Sequence, residues 1–448
     1  MVDDALGVKS VVDPLENANP DHHMRIDERL CNGCVLCLRA CPTKAIRVRD
    51  HRQARIEGFC IDCGECLRVC PRGAVRAVTT GIRNIERSKT VLVLSPVFYA
   101  QFGEGVSPGR INRALKNMGF LDAVDEFEAI ETFSTAVDIY LNETKDNPRI
   151  PRPLISPVCP VVVRIISYRF PSLLTHFPPI LRPREIVART IREKSEENYA
   201  LRADEIRVFH VAPCSAKMMA IENPILVHDS YLDGAIGMNE IYLGVKNQLK
   251  TDKGSADFPA GFGLGLAWGK SGGEIATMAE GNFLAVSGIP ETVRYLEKIE
   301  MGLLDGIDYV ELRPTPAGCI GGPLTVVDRY QAKHTIERTI LRHGAQRSAD
   351  RTRIQRFYRE KRLFTNREPG QLKTGLEALP LADAIERQSR IEQLYQTLPN
   401  KECGVCGSPD CRTFAEDVID GKAALEDCVY LRLYQEPGKG SGSDEREP

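Results

Sequence analysis

No stretch of this 448-residue chain stays apolar over the roughly 18 residues that a membrane span requires. Its first residues, MVDDALGVKSVVDPLENANPDHH, lack both the apolar core of a secretion signal and a pair of arginines. A cytoplasmic protein without membrane insertion is therefore expected. Net charge is nearly absent as well: 59 Lys and Arg against 61 Asp and Glu leave −2, which gives no electrostatic case for nucleic acid. Histidine is scarce, and the eight present show no metal-binding spacing apart from His22-His23, read as an exposed pair in a polar tail over residues 1–24. The last thirteen residues are poor in apolar groups, so disorder is expected over 436–448.

Cysteine is what the chain has in quantity. A chain of this length without an export signal does not use fifteen cysteines as a disulfide framework, and in a reducing compartment clustered thiols point to metal or redox chemistry. Eight lie between residues 31 and 70, four between 403 and 428, and three stand alone at Cys159, Cys214 and Cys319.

The first eight form an internal repeat with a period of 29. Cys31-x2-Cys34-x2-Cys37-x3-Cys41-Pro42 recurs as Cys60-x2-Cys63-x2-Cys66-x3-Cys70-Pro71. This is the spacing of a bacterial dicluster ferredoxin, in which three close thiolates occupy three corners of a cubane and the fourth comes from the other run. Cys31, Cys34, Cys37 and Cys70 are thus expected to hold one [4Fe–4S] cluster, and Cys41, Cys60, Cys63 and Cys66 the other. Zinc sites lack the double x2–x2–x3–Pro run. The C-terminal quartet, Cys403-x2-Cys406-x4-Cys411-x16-Cys428, suffices for one further cubane, although spacing alone leaves a structural zinc site open. The segment resembles the small four-cysteine iron–sulfur domain of several anaerobic redox proteins, which implies [4Fe–4S].

From Thr90 the texture changes. TVLVLS (90–95), RVFHVAP (207–213) and DYVELR (308–313) read as strands, while GRINRALKNMGF (109–120) and TVRYLEKIEMGLL (292–304) read as helices. Alternation of this kind predicts an α/β core with largely parallel pairing, whose ligands sit beyond the strand ends. Two of the lone cysteines follow strand-like runs. Residues 345–365 and 381–397 are charged and helix-compatible, suited to wrapping the core or linking it to the last cysteines. GFGLGLAWGKSGG (261–273) has Leu264 where a phosphate-binding loop needs glycine, and reads as a turn-rich segment.

The segments around the lone cysteines, ISPVCPVVVRIISYRFPSL (155–173), VAPCSAKMMAI (211–221) and PTPAGCIGGPLTV (314–326), together with SGGEIA (271–276) and VSGIPETVRYLEKIE (286–300), resemble the catalytic domain of iron-only ([FeFe]) hydrogenases. The order of modules is similar to that in the family's sensory branches. The resemblance implies a multidomain α+β/α/β fold: a dicluster [4Fe–4S] ferredoxin domain over 25–80, a hydrogenase-like domain over 90–375 and a small helical four-cysteine domain over 385–435.

In that family a cubane on four cysteines is bridged by one of them to a two-iron unit carrying CO and cyanide. Cys159 matches the first-loop ligand, Cys214 the second-loop ligand, Cys319 the bridging ligand and Lys217 the lysine that hydrogen-bonds a cyanide. Lys217 also reads as a core-edge lysine with a snorkelling head. The fourth ligand position is Thr315, a poor iron ligand, and the proton-relay cysteine is Val158, which carries no proton. A methionine that packs on the two-iron unit is Ala212, and paired glutamates of the proton path align with Ser134-Thr135-Ala136.

The reading is an iron–sulfur electron-transfer or redox-sensing protein with a degenerate hydrogenase-like site, a subunit of a redox complex whose partners are a ferredoxin or other redox subunits. The alternatives are a low-turnover hydrogenase or hydrogen sensor, and an enzyme using a three-cysteine cluster with an open iron.

Overall fold

A computed structural model describes residues 22–49, 53–252, 254, 258–259, 261–366 and 380–435. These residues fall into two compact units, one drawn from Met1–Arg25, Ile61–Gly64 and Ala77–Thr374, the other from Ile26–Cys60, Glu65–Arg76 and Gly375–Pro448. The expected tail over 436–448 lies outside the described residues, as does most of the tail over 1–24. The rest of that N-terminal tail corrects the expectation. His22 and His23 are buried, and Met24 is fully so. The His23 amide donates to Asp62 Oδ1 at 2.8 Å, and its Nε2 lies 2.7 Å from Glu222 Oε2. Polar residues beside the start of a strand take their burial from the strand, which composition does not register.

Seven strands organise the larger unit: β1 (Thr90–Leu94), β2 (Asp122–Asp125), β3 (Leu154–Ile155), β4 (Arg207–Ala212), β5 (Gly234–Gly237), β6 (Phe283–Ser287) and β7 (Tyr309–Arg313). Four pair in the order β2-β1-β4-β5 and three in the order β6-β7-β3, all parallel. Leu92 of β1 stands opposite Ala123 and Phe209. All five residues of β1 are buried, because helices cover both faces of a parallel sheet.

Six helices matter for the site: α1 (Phe127–Glu143), α2 (Pro160–Arg169), α3 (Pro183–Glu193), α4 (Ser215–Glu222), α5 (Phe262–Ala267) and α6 (Arg329–His343). Val91 and Val93 pack toward Ile130, Phe133 and Val137 of α1, while Leu92 and Leu94 face Ile111, Leu115 and Ile241. The two-residue alternation along β1 thus feeds two cores.

The helix expected over 292–304 runs Ile289–Glu300, with a proline in its first turn. Within 345–365 only Arg351–Arg359 is helical. The segment over 261–273, expected to be turn-rich, contains α5. Its glycines are there for close packing: a Cβ on Gly263 would stand 1.8 Å from the Gly344 carbonyl oxygen, and one on Gly265 would stand 2.2 Å from Phe127 Cδ1.

Asp138, on α1, accepts a hydrogen bond from the Ala279 amide at 3.0 Å, and burial pushes its carboxyl up to about 6. A carboxyl held above its unfolded value contributes most at low pH, and the contribution is lost as pH rises through about 6. The difference from 3.8 corresponds to about 3 kcal/mol. Screening of the incompletely shielded group brings the expected effect to about 1–2 kcal/mol. Asp138→Asn should therefore raise the urea midpoint at pH 8 by that equivalent and leave it nearly unchanged at about pH 3, below the unfolded value.

In the smaller unit the cysteine repeat appears as matched backbone. Helices Leu36–Ala40 and Glu65–Val69 end alike: Cys41 N donates to Leu38 O and Lys44 N to Cys41 O, as Cys70 N does to Leu67 O and Gly73 N to Cys70 O. Lys44 and Gly73, 29 residues apart, both have positive φ, 54° and 59°. A strand over Ile46–Arg49 pairs antiparallel with Gln53–Ile56.

The last helices belong to this same unit. Leu381–Thr397 packs against Cys411–Ile419, so it supports the final cysteines rather than wrapping the α/β core. The Val48 amide donates to the Gly407 carbonyl at 2.9 Å, and Arg47 Nε donates to Asp417 Oδ2 at 2.7 Å. Both members of that ion pair are buried, and Ser408 Oγ donates to the same carboxylate oxygen at 2.5 Å.

Candidate metal centre

None of the fifteen cysteines is in a disulfide. In the smaller unit Cys31, Cys34, Cys37 and Cys70 line one cavity, and Cys403, Cys406, Cys411 and Cys428 line another. Burial pushes the Cys37 thiol up to about 11, helped by the charges of Cys31, Cys34 and Cys70. Burial does the same to Cys406, to about 11, with Cys403, Cys428 and Cys411 around it. Cys66 rises to about 12 through burial and the nearby Cys41 and Cys37. Cys60 and Cys63 are half-buried. Cys70 differs. Burial opposes its ionisation, but the amides of Val75, Ala74, Arg72 and Gly73 hold it below the usual thiol range. The Ala54 amide donates to Cys31 Sγ and the Ala45 amide to Cys41 Sγ, each at 3.3 Å. Amides aimed at sulfur stabilise thiolate, the form that binds iron. Thiols otherwise pushed upward are groups that release protons when metal binds.

These quartets fit cubanes, in which every sulfur meets a different iron. Among the described residues no three His, Cys, Asp or Glu side chains converge on one metal-ion position.

The lone cysteines meet in the larger unit, each beyond the C-terminal end of a strand. Cys159 follows β3 and caps α2, Cys214 follows β4 and caps α4, and Cys319 follows β7. Burial pushes the Cys214 thiol up to about 12, with repulsion from Cys319 and Cys159 against the opposing pull of Lys217. Cys159 is raised by burial and by Cys319, opposed by Arg313 and by the amides of Val162 and Val161. The residues keep some exposed surface, yet desolvation is the leading cause at both sulfurs. The turn before Cys319 requires glycine: Gly318 has φ 92°, and a Cβ there would stand 2.5 Å from the Ser271 amide nitrogen.

A pocket opens beside Cys319, walled by Val158, Lys217, Trp268, Arg182, Arg184, Arg313 and Glu126. Val158 is buried in this wall. Thr315 begins the turn, and its hydroxyl makes no hydrogen bond among the described residues. Lys217 is 7% exposed and lines the pocket. Ala212 is fully buried in β4, and Ser134 Oγ lies 2.6 Å from Thr277 Oγ1.

Residues 88–260 match the family of the iron only hydrogenase large subunit, C-terminal domain; residues 23–71 match the 4Fe-4S dicluster domain and 398–430 an Fe-S cluster family. The chain is thus similar to the hydrogenases over residues 88–260 and to iron–sulfur modules on either side. Over 39 residues this protein is 46% identical to the corrinoid/iron–sulfur protein large subunit of Moorella thermoacetica, which is 9% of either chain. Two structures of the [FeFe]-hydrogenase HydA1 from Chlamydomonas reinhardtii, one of them an apo form, are 14% identical with TM-scores of 0.49. The hydrogenase-like protein covers 95% of each, using 63% and 65% of its own length. None of its described helices is long and apolar enough to cross a membrane.

Two buried ionic groups beside these three cysteines escaped the sequence reading. Arg313 Nη2 donates to Glu274 Oε2 at 2.8 Å, its Nε to Glu311 Oε1 at 2.9 Å, and its Nη1 lies 3.8 Å from Cys319 Sγ. Tyr309 and Ser156 hydroxyls also donate to Glu274, whose carboxyl burial lifts to about 7. On the opposite wall Arg182 and Arg184 share Glu185, and burial together with Arg184 brings Arg182 down to about 9. His210 is pushed down to about 4 by burial, so the neutral ring donates Nε2–H to Glu126 at 2.8 Å. SGGEIA and DYVELR contain the first group. Nothing in PPILRPREI marks the second in sequence.

Proposed function

We propose that this protein is an electron-transfer or redox-sensing subunit of a redox complex, with three [4Fe–4S] clusters on the two cysteine quartets of the ferredoxin repeat and the C-terminal quartet. A fourth cluster is held by Cys159, Cys214 and Cys319 in a hydrogenase-derived site. The observation that carries this reading is the meeting of three thiols from three segments beside Val158 and Thr315. Those two positions offer neither a proton relay nor a fourth thiolate. An incomplete ligand set leaves one iron of the central cluster facing Thr315, water or an added ligand. The pocket beside Cys319 favours that open-iron reading as the second choice. An iron of this kind supplies Lewis acidity when bound.

Iron and sulfide analysis of anaerobically purified full-length protein tests the assignment. About 16 iron atoms per chain are expected, falling to about 12 in the Cys159→Ala/Cys214→Ala/Cys319→Ala variant. A count near four, or stoichiometric zinc, overturns it. Cyanide and CO bands in the infrared spectrum after co-expression with maturation factors would show a complete hydrogenase centre instead.

A further inference from the structure

Within the smaller unit, the C-terminal quartet sits against one segment of the ferredoxin repeat, residues 38–49. That segment brackets Cys41, the cysteine that the first run lends to the second ferredoxin cluster. Lys44, whose amide donates to the Cys41 carbonyl, pairs with Asp410, the residue before Cys411. Arg47 and Arg49 converge on Asp417 Oδ2, at 2.7 and 3.0 Å. Arg49 Nη1 also donates to Ser408 Oγ at 3.3 Å, and the Ser408 amide hydrogen-bonds the Cys406 sulfur. Charged groups beside Cys41 are thus tied to the turns that carry Cys406 and Cys411.

The cysteine loops themselves make the contact. Gly404, between Cys403 and Cys406, has φ 71°, and a Cβ there would stand 3.2 Å from Leu38 Cδ2. At Gly407, with φ 84°, a Cβ would stand 1.6 Å from the Val48 carbonyl oxygen. A purely structural seat would press an apolar helix face onto the strand, since apolar area is what burial rewards. Instead, two glycines bring the ligand loops to backbone distance. The charge-assisted bonds on the buried Asp417 then fix the gap. Electron tunnelling falls exponentially with such a gap, so short, fixed separation is what electron exchange requires.

We propose that this contact is an electron junction between the C-terminal quartet and the ferredoxin cluster on Cys41, Cys60, Cys63 and Cys66, with Lys44, Arg47 and Arg49 as the positioning residues that hold it closed. One electron crosses at a time: one cluster is oxidised as the other is reduced, with no bond made or broken, and the redox partner supplies the electron. The inference rests on the cluster reading above, and the two fail separately. Iron content decides the clusters; spin interaction at full iron content decides the junction.

Electron paramagnetic resonance of the anaerobically purified, fully dithionite-reduced, full-length protein tests it. The reference is Cys403→Ala/Cys411→Ala, which empties the C-terminal quartet and leaves the ferredoxin clusters to report on themselves. Neighbouring paramagnets split and broaden each other's signals. The parent spectrum minus the reference should therefore show interaction features, not the simple signal of an isolated cubane. Asp410→Asn/Asp417→Asn removes both carboxylates that clasp the ferredoxin segment, and asparagine caps a helix as aspartate does. In that variant the difference spectrum should collapse to the simple signal at unchanged iron content. Arg29→Gln, at an exposed ion pair elsewhere in the repeat, should keep the interaction. A simple additive signal from the parent at full iron content overturns the proposal. So does an interaction that persists undiminished in Asp410→Asn/Asp417→Asn.

Discussion

Matured alongside [FeFe]-hydrogenase assembly factors, the full-length protein should evolve hydrogen about 10²–10⁴-fold more slowly than a proton-competent hydrogenase, the usual loss when a general acid is missing. The physical reason is local. Val158 is buried in the wall of the pocket beside Cys319 and has no ionisable group. The other titratable groups there do not replace it: Glu126 is held ionised by the His210 ring despite its burial, and the arginines keep their protons. Val158→Cys alone should not restore the rate, because Thr315 leaves the cluster a thiolate short. Gas-chromatographic hydrogen assay with reduced methyl viologen measures both. Rapid turnover by the unmodified chain would sink the degenerate-site reading.

Arg313→Met should destabilise the larger unit by about 3–5 kcal/mol, since it strands the buried carboxylates of Glu274 and Glu311. The side chain also lies over Trp268, with 5.6 Å from guanidinium carbon to ring centre, so packing is lost along with charge. Adding Glu274→Gln and Glu311→Gln to the same variant should recover most of the loss. Without Arg313 the Glu274 carboxyl, already near 7 because burial raises it, keeps its proton to higher pH. The penalty of Arg313→Met should therefore be smaller at pH 6 than at pH 8. Urea midpoints under anaerobic conditions give all of these values. Equal midpoints for parent and single variant would mean that the ionic group does not hold the three cysteine loops.

Strong local signals were the readable part of the sequence. β1, β4 and β7 were visible because each is a short apolar or β-branched run with abrupt ends. The cysteine repeat was visible because cluster spacing admits few substitutions. It reaches as far as the paired positive-φ residues Lys44 and Gly73, which a 29-residue period places at equivalent turns. What escaped depends on distant neighbours. A Gly-rich segment reads as turns throughout until the Gly344 carbonyl and Phe127 are known to press against it, and Phe262–Ala267 is then α5 while the rest turns. His22 and His23 look like tail residues until Asp62 and Glu222 receive His23, and Met24 O stands 2.9 Å from the His22 ring. Arg182 and Arg184 look like ordinary surface charges, because no local pattern reveals that both end beside Cys319.

The bond from the Val48 amide to Gly407, with Arg47 clasping Asp417, has a consequence for biosynthesis. The two sides of that contact are separated by 370 residues of chain. At ordinary synthesis rates of 5–20 residues per second, Arg47 leaves the ribosome roughly 20–75 s before its partner exists. Through that interval the first cysteine repeat is made but its seat for the last module is bare, with a buried arginine still in water. Docking is thus a late event, which no chain stalled before Asp417 can complete.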